Sequence, residues 1–190
     1  VDDAAIDLAI AYGAPYLHAM TSEASTIAAN EIGGLQTPVF QVCPSETFYG
    51  PRFISFLIEL RDSGSWVPPN RDLVFIESAV PGGEVASLQT FQIAERAGWN
   101  IIRSELLPAS VGEWDPIISD IMRSAPAAVM ITHFVPDQLA AFQRAFAKDR
   151  SQTLLYSVYT PSIPEFMELA AGTAEGLIWS TVSGTYGDQL

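Results

Sequence analysis

The 190-residue chain contains one cysteine, two histidines, and only 9 Lys and Arg against 22 Asp and Glu. A lone Cys43 closes no internal disulfide, so the fold must rest on burial. It lies in the apolar run PVFQVC and reads as a small buried side chain. The formal net charge is −13. Scattered cations in so acidic a chain supply no basic stripe for nucleic-acid phosphates, and none for an anionic membrane surface. No apolar run has the length of a membrane span, so no direct membrane insertion is expected. The opening VDDAAIDLAIAYG has neither the basic start nor the cleavage pattern of a secretion signal. The chain starts in a helix and stops at YGDQL without a finished element, so the expectation is a truncated piece of something larger.

What is present is core material. Hydrophobic residues make up 48% of the chain and aromatic ones 11%, enough to exclude disorder. Short apolar runs alternate with helical segments, the pattern of βαβ units and a parallel sheet. Asp2 or Asp3 caps a first helix that ends at Gly13. APYLHAM and PVFQVC read as strands, with TSEASTIAANEIGG between them as a loop holding one helical turn. Gly50-Pro51 opens a helix with Phe53, Phe56, Leu57 and Leu60 on one face. LVFIES is a buried strand. PGG leads into a helix over Glu84–Ala97 with Val85, Leu88, Phe91 and Ala94 as its inner stripe. WNIIRSELL, AAVMIT, TLLYSVY and GLIWSTV are further strands. The helices between them start at Asp115 (as N-cap, with Pro116 first inside), at Pro136 and in IPEFMELA. Five strands and four intervening helices from Leu73 onward make one doubly wound, flavodoxin-like parallel α/β lobe of three α/β/α layers.

Signals of catalysis are weak. His18 and His133 lack metal-ligand spacing and read as structural or hydrogen-bonding residues at strand ends. No Gly-x-Ser-x-Gly elbow and no P-loop occur. PGGE precedes a helix, where a phosphate could sit, but two adjacent glycines are weak evidence for one and read first as a tight turn. Paired acids such as Glu113 with Asp115, or Glu165 with Glu168, stand at helix starts, where capping and the helix dipole account for them. Position is more informative, because open parallel sheets bind ligands beyond the carboxyl ends of their strands. Those ends carry His18, Ala19, Met20 and Thr21; Glu77, Ser78 and Ala79; His133 and Phe134; Tyr159 and Thr160. Aromatic walls with a few polar groups suit a small-molecule pocket, although ordinary strand-to-helix loops carry such residues too.

Several segments together resemble type I periplasmic solute-binding proteins of ABC transporters, the branched-chain amino-acid and amide-binding group. They are GAPYLHAMTSEA, PVFQVCPSETFYGP, LVFIESAVPGGEVASLQTFQIAERAGWNII, WDPIISDIMRSAPAAVMITHFVPDQLAAFQRAF and ELAAGTAEGLIWST. The resemblance implies a periplasmic-binding-protein-like fold, truncated here. Residues 1–44 would be a late part of lobe one, 45–182 lobe two, and 183–190 the start of the return crossover to lobe one. It also implies capture of a small polar solute between two lobes without catalysis and without a cofactor, and delivery to an ABC transporter permease. The location would be periplasmic or extracellular, with lipid anchoring left open. A ligand-sensing domain of an amide- or amino-acid-responsive regulator is the alternative.

By that resemblance, a ligand carboxylate falls to Ala19, Met20 and Thr21, with Ser22 as a neighbour, and Phe134 supplies an aromatic wall. Gly82 stands where a second aromatic is usual. Tyr159 or Thr160 stands where amino-acid binders have a carboxylate for the ligand ammonium. Either Glu77 takes over the ammonium, or the ligand is an amide, a carboxylate or an aromatic acid without an amino group.

Overall fold

A strand buried on both faces must be apolar at successive positions, and Leu73, Val74, Phe75 and Ile76 of the third strand are. A computed structural model of the chain describes residues 3–19, 21–33, 37–80, 85–149 and 151–181. The chain divides into two compact units, Val1–Phe48 and Tyr49–Leu190.

The first unit holds helices α1 (Asp3–Tyr12) and α2 (Glu23–Gly33), with parallel strands β1 (Tyr16–His18) and β2 (Val39–Gln41). Gly13 ends α1 at φ +61°, where a side chain would be strained. The segment expected as a loop with one helical turn is in fact α2, an 11-residue helix. Local propensity undervalued it because its N-terminus is capped from a distance. Both carboxylate oxygens of Glu46 accept from the Glu23 N–H at 2.9 Å. Cys43 is half-buried rather than buried.

The second unit opens with α3 (Tyr49–Asp62). Five parallel strands follow: β3 (Asp72–Ser78), β4 (Asn100–Leu107), β5 (Ala128–Thr132), β6 (Leu154–Val158) and β7 (Ile178–Ser180), in the order β4-β3-β5-β6-β7. This is the flavodoxin-like order, and it reverses between β3 and β5. Helices α4 (Leu88–Arg96), α5 (Asp115–Met122), α6 (Pro136–Phe146) and α7 (Pro164–Ala170) connect the strands. Side chains alternate across the sheet. Leu73, Phe75 and Met130 pack with Phe53, Leu57 and Ala94 of α3 and α4. Val74, Ile76, Val129 and Ile131 pack with Ile118, Leu139, Phe142 and Phe166 of α5, α6 and α7. The three expected layers are therefore present.

Two helix starts differ from expectation. Asp115 is the first residue of α5 rather than its cap; Trp114 precedes it, and the Asp115 carboxylate pairs with Lys148 at 2.7 Å. The α4 helix begins at Leu88, after Ser87, whose hydroxyl accepts from the Thr90 N–H at 3.2 Å. That start fixes the phase of the helix. Thr90 and Ala94 face inward, while Leu88 is 74% and Phe91 39% exposed. The apolar stripe expected through Leu88 and Phe91 is thus rotated outward. Residues 81–84, the expected beginning of that helix, lie outside the described residues, as do Met20 and 182–190.

The entry to α4 is held from two sides. The Glu77 carboxylate accepts from the backbone N–H groups of Val85 and Ala86, the latter at 2.7 Å. On the other side lies Gly50 of α3, where a Cβ would stand 2.2 Å from Thr90 Oγ1 and 2.4 Å from the Val85 carbonyl oxygen. Only glycine permits this approach.

Candidate functional site

Parallel strands ending together leave the carboxyl edge of the second unit lined by the residues just beyond β3, β5 and β6. At β3, the last pair with β5 is Glu77 with Thr132, so Ser78 comes next to His133. The Ser78 side chain is fully buried, and its Oγ has no hydrogen-bond partner among the described residues. A buried hydroxyl without a partner is uncommon and marks a place where a polar group is wanted. It stands at the point where the strand order reverses.

His133 is 1% exposed and packs edge-on against Trp114, with ring centroids 6.0 Å apart. Its Nδ1 accepts from the Val135 N–H at 3.4 Å, which leaves the proton of the neutral ring on Nε2. Among the described residues Nε2 has no partner in hydrogen-bonding geometry, although the Pro108 backbone lies close enough to favour the charged ring somewhat. The Trp114 indole N–H is likewise buried without a partner among the described residues. Phe134 is half-buried against the α3–α4 side of the core.

Burial holds His133 below the usual imidazole pKa, and the Asp137 carboxylate opposes that shift. A folded pKa below the unfolded value means that the unfolded chain takes up the proton first as pH falls. The stabilisation is complete above the ordinary imidazole value of 6.5 and is lost as pH falls below it toward the folded value. Between about pH 7.5 and 5.5, the fall in Tm is expected to be smaller for His133→Gln than for the unmodified protein. Equal falls, measured by circular dichroism, would assign the acid sensitivity to other groups.

At β6, Thr160 is 1% exposed, and its hydroxyl donates to the His133 carbonyl at 2.8 Å. That bond ties the ends of β5 and β6 together. Tyr159 precedes it at φ 63° and ψ −64°. These angles fall in the γ-turn region that L residues rarely adopt. The Tyr159 N–H donates to the Ser180 carbonyl at 2.8 Å. Its carbonyl accepts from the Ser162 N–H at 2.9 Å and from the Ser162 hydroxyl at 2.6 Å.

Glu77 is placed differently from a ligand-facing acid. It is 6% exposed, and besides the two backbone N–H groups its carboxylate accepts from Ser104 Oγ at 3.1 Å. The side chain serves its own loop.

In the first unit, Ala19 is exposed just beyond β1, and the Thr21 carbonyl accepts from the Glu46 N–H at 2.9 Å. Burial lowers the pKa of His18. Among the described residues, no group of His, Cys, Asp and Glu could hold a metal ion, and no helix is long and apolar enough to cross a membrane.

The structure thus gathers His133, Phe134, Tyr159 and Thr160 on one edge and turns Glu77 away from it. It adds Ser78 and Trp114. Ser78 was legible as a strand-end residue; its unmet hydroxyl was not. Trp114 gave only the weak signal of an aromatic just before Asp-Pro.

No family model matches the sequence, and no curated protein matches it. Solved structures do. A Silicibacter pomeroyi protein, provisionally named a branched-chain amino acid ABC transporter, matches with a TM-score of 0.86 and 26% identity, over 99% of this chain and 47% of its own. An extracellular ligand-binding receptor from Rhodopseudomonas palustris HaA2 matches with a TM-score of 0.69 and 16% identity, over 92% and 45%. A branched-chain amino acid ABC transporter from Thermus thermophilus with bound valine matches with a TM-score of 0.65 and 14% identity, over 91% and 42%. The last two bear on the fold alone. The chain has the fold of type I periplasmic binding proteins, and it spans a little under half the length of each of these solved structures.

Proposed function

We propose that the chain is part of an extracytoplasmic solute-binding protein that captures a small molecule for an ABC importer and releases it chemically unchanged. The observation that carries this reading is the carboxyl edge of the sheet at its switch point. There a buried serine hydroxyl without a partner among the described residues stands next to His133, on the edge that also carries Phe134 and Tyr159. Open parallel sheets bind their ligands at such a point, and a few polar groups among aromatic walls fix an orientation. The likeness to the Silicibacter pomeroyi protein over 99% of the chain supports the transport role.

In this reading, residues 1–44 belong to lobe one and 45–182 to lobe two, with Ala19, Met20 and Thr21 on the first lobe's side of the ligand. Closure of the two lobes would bury the solute, and the ligand would shift the population toward the closed form. The permease is the partner that reads this form.

A thermal-shift screen of the full-length protein tests the proposal. Amino acids, amides and aromatic acids are the classes to compare. Binding raises Tm by mass action, and a ligand at about 100 times its Kd stabilises by about 2.7 kcal/mol. A rise with one class and no turnover of it is the expected result. Turnover of a substrate with no shift from any class would overturn it.

A further inference from the structure

A cavity of 260 Å³ lies at the amino ends of the strands, the opposite end of the sheet from the edge described above. In a parallel sheet each helix ends where the next strand begins, so three segments meet there. The end of α6 supplies Gln143 and Phe146, the turn before β6 supplies Asp149 and Thr153, and the segment between α7 and β7 supplies Thr173 and Glu175.

Gln143 is 3% exposed. Its Nε2 donates to the Thr173 carbonyl at 2.5 Å, which fixes the amide one way round, because the reverse would set two carbonyl oxygens against each other. Oε1 is thereby committed as an acceptor, and among the described residues it has no donor. A buried amide oxygen left so is uncommon and calls for an explanation. Gln143 and Thr173 both line the cavity, so the bonded amide stands at its wall.

The charge around that oxygen is of one sign. The Asp149 and Glu175 side chains line the same cavity. Asp149 uses only Oδ1, which accepts from the Ser151 N–H at 2.9 Å, and Glu175 has no hydrogen bond or ion pair among the described residues. The negative end of the α6 dipole points to the same place. The described cations closest in sequence are engaged elsewhere. Arg144 donates to the Leu169 carbonyl at 2.5 Å, and Lys148 pairs with Asp115 at 2.7 Å.

An amide oxygen and two carboxylates match the three N–H donors of a primary ammonium group. They suit a divalent metal less well, since calcium takes about six to eight oxygens. The other walls are Phe146, Leu155 and Leu177, apolar surface against which a short alkyl chain is buried.

We propose that this cavity is a second binding site, separate from the candidate solute site, and that its ligand is a small primary alkylammonium ion. The ammonium group donates to Gln143 Oε1 and to the Asp149 and Glu175 carboxylates, while the chain lies against the apolar walls. The bound ion ties the end of α6 to the segment leading into β7, so it stabilises the folded protein by mass action.

Calorimetry on the full-length protein with n-butylammonium, tetramethylammonium and calcium chlorides tests the site. Ionic strength is held constant, because a net charge of −13 attracts any cation. Butylammonium is expected to bind at one site per chain with a Kd of about 1 mM or below. Tetramethylammonium has the same charge and no N–H, and should bind at least about tenfold more weakly. Glu175→Gln changes an exposed residue, so it should weaken butylammonium by about three- to tenfold and leave the Tm of the free protein unchanged. Gln143→Leu removes the buried acceptor and should weaken it at least about tenfold. Should that variant fail to fold, Asp149→Asn takes its place, since asparagine keeps an oxygen for the Ser151 N–H and loses the charge. Glu113→Gln, at an exposed acid outside the cavity, should leave the Kd unchanged. Equal affinity for the two ammonium ions overturns the site, as does an equal loss in Glu113→Gln and Glu175→Gln, because net charge alone would then explain the binding. Calcium bound in preference to butylammonium overturns the ligand class. No heat of binding with butylammonium up to about 10 mM overturns the proposal as a whole, and solute capture at the carboxyl edge stands or falls separately.

Discussion

Glu77→Ala is expected to destabilise the protein by about 2–4 kcal/mol, because two backbone N–H groups lose their acceptor where water cannot replace it. The carboxylate is 6% exposed and accepts from Val85, Ala86 and Ser104. Removing it also removes the cost of burying a charge, but three donors already offset much of that cost in the folded state. The orphaned amides have no such offset, so the loss dominates. Glu77→Gln keeps a carbonyl oxygen for the amides and should cost only about 1 kcal/mol. Urea unfolding at neutral pH measures both. The pair also separates two roles for this residue. An acid that binds a ligand ammonium would lose affinity in Glu77→Gln with little change in stability. An acid that anchors the entry to α4 keeps its ligand affinity in Glu77→Gln and loses stability in Glu77→Ala, which is the expected outcome.

Gly50→Ala should be comparably damaging, by about 3 kcal/mol, the upper part of the usual range for overpacking. The added methyl would stand 2.2 Å from Thr90 Oγ1, 2.4 Å from the Val85 carbonyl oxygen and 2.8 Å from Thr90 Cγ2. The side-chain clash could be relieved by rotation, except that Thr90 Oγ1 donates to that same carbonyl at 2.9 Å. The carbonyl itself belongs to the residue whose N–H is held by Glu77. Retreat of the segment from α3 therefore strains the bonds that Glu77 makes. In the double variant Gly50→Ala/Thr90→Ala, removing the threonine side chain should recover less than half of the loss, since the carbonyl contact remains. Full recovery would show that the side chain, and not the backbone, sets the limit. The two variants act on one short segment from opposite sides, so their effects should not add.

Much of this architecture is legible in the sequence. The alternation of apolar runs and helical segments from Leu73 onward implied five parallel strands with four helices, and those elements form the second unit. The residues that end the strands followed from the same reading, because a parallel sheet puts its carboxyl ends on one edge whatever its side chains do. What failed was local phase. In α4, the apolar residues Leu88 and Phe91 suggested an inner stripe. The helix instead turns Thr90 inward, because Ser87 caps it one turn later than expected and Gly50 admits Thr90 at close range. A pattern of apolar spacing carries no information about a neighbour 40 residues away. The α2 helix was undervalued for the same reason, its cap being a carboxylate 23 residues downstream.

The sequence by itself determined the α/β class, the parallel sheet and the edge on which the candidate site lies, since hydrophobic period and strand direction are local properties of the chain. Only the tertiary structure decided what the individual site residues do. It turned Glu77 inward onto backbone amides, left the Ser78 hydroxyl without a partner, and set Tyr159 in a turn that tyrosine does not choose for itself. Those outcomes depend on which donors and acceptors meet across strands, and on hydrogen bonds that the Ser162 N–H and hydroxyl donate to Tyr159 and that the Ser180 carbonyl accepts from it, together strong enough to hold a disfavoured backbone angle.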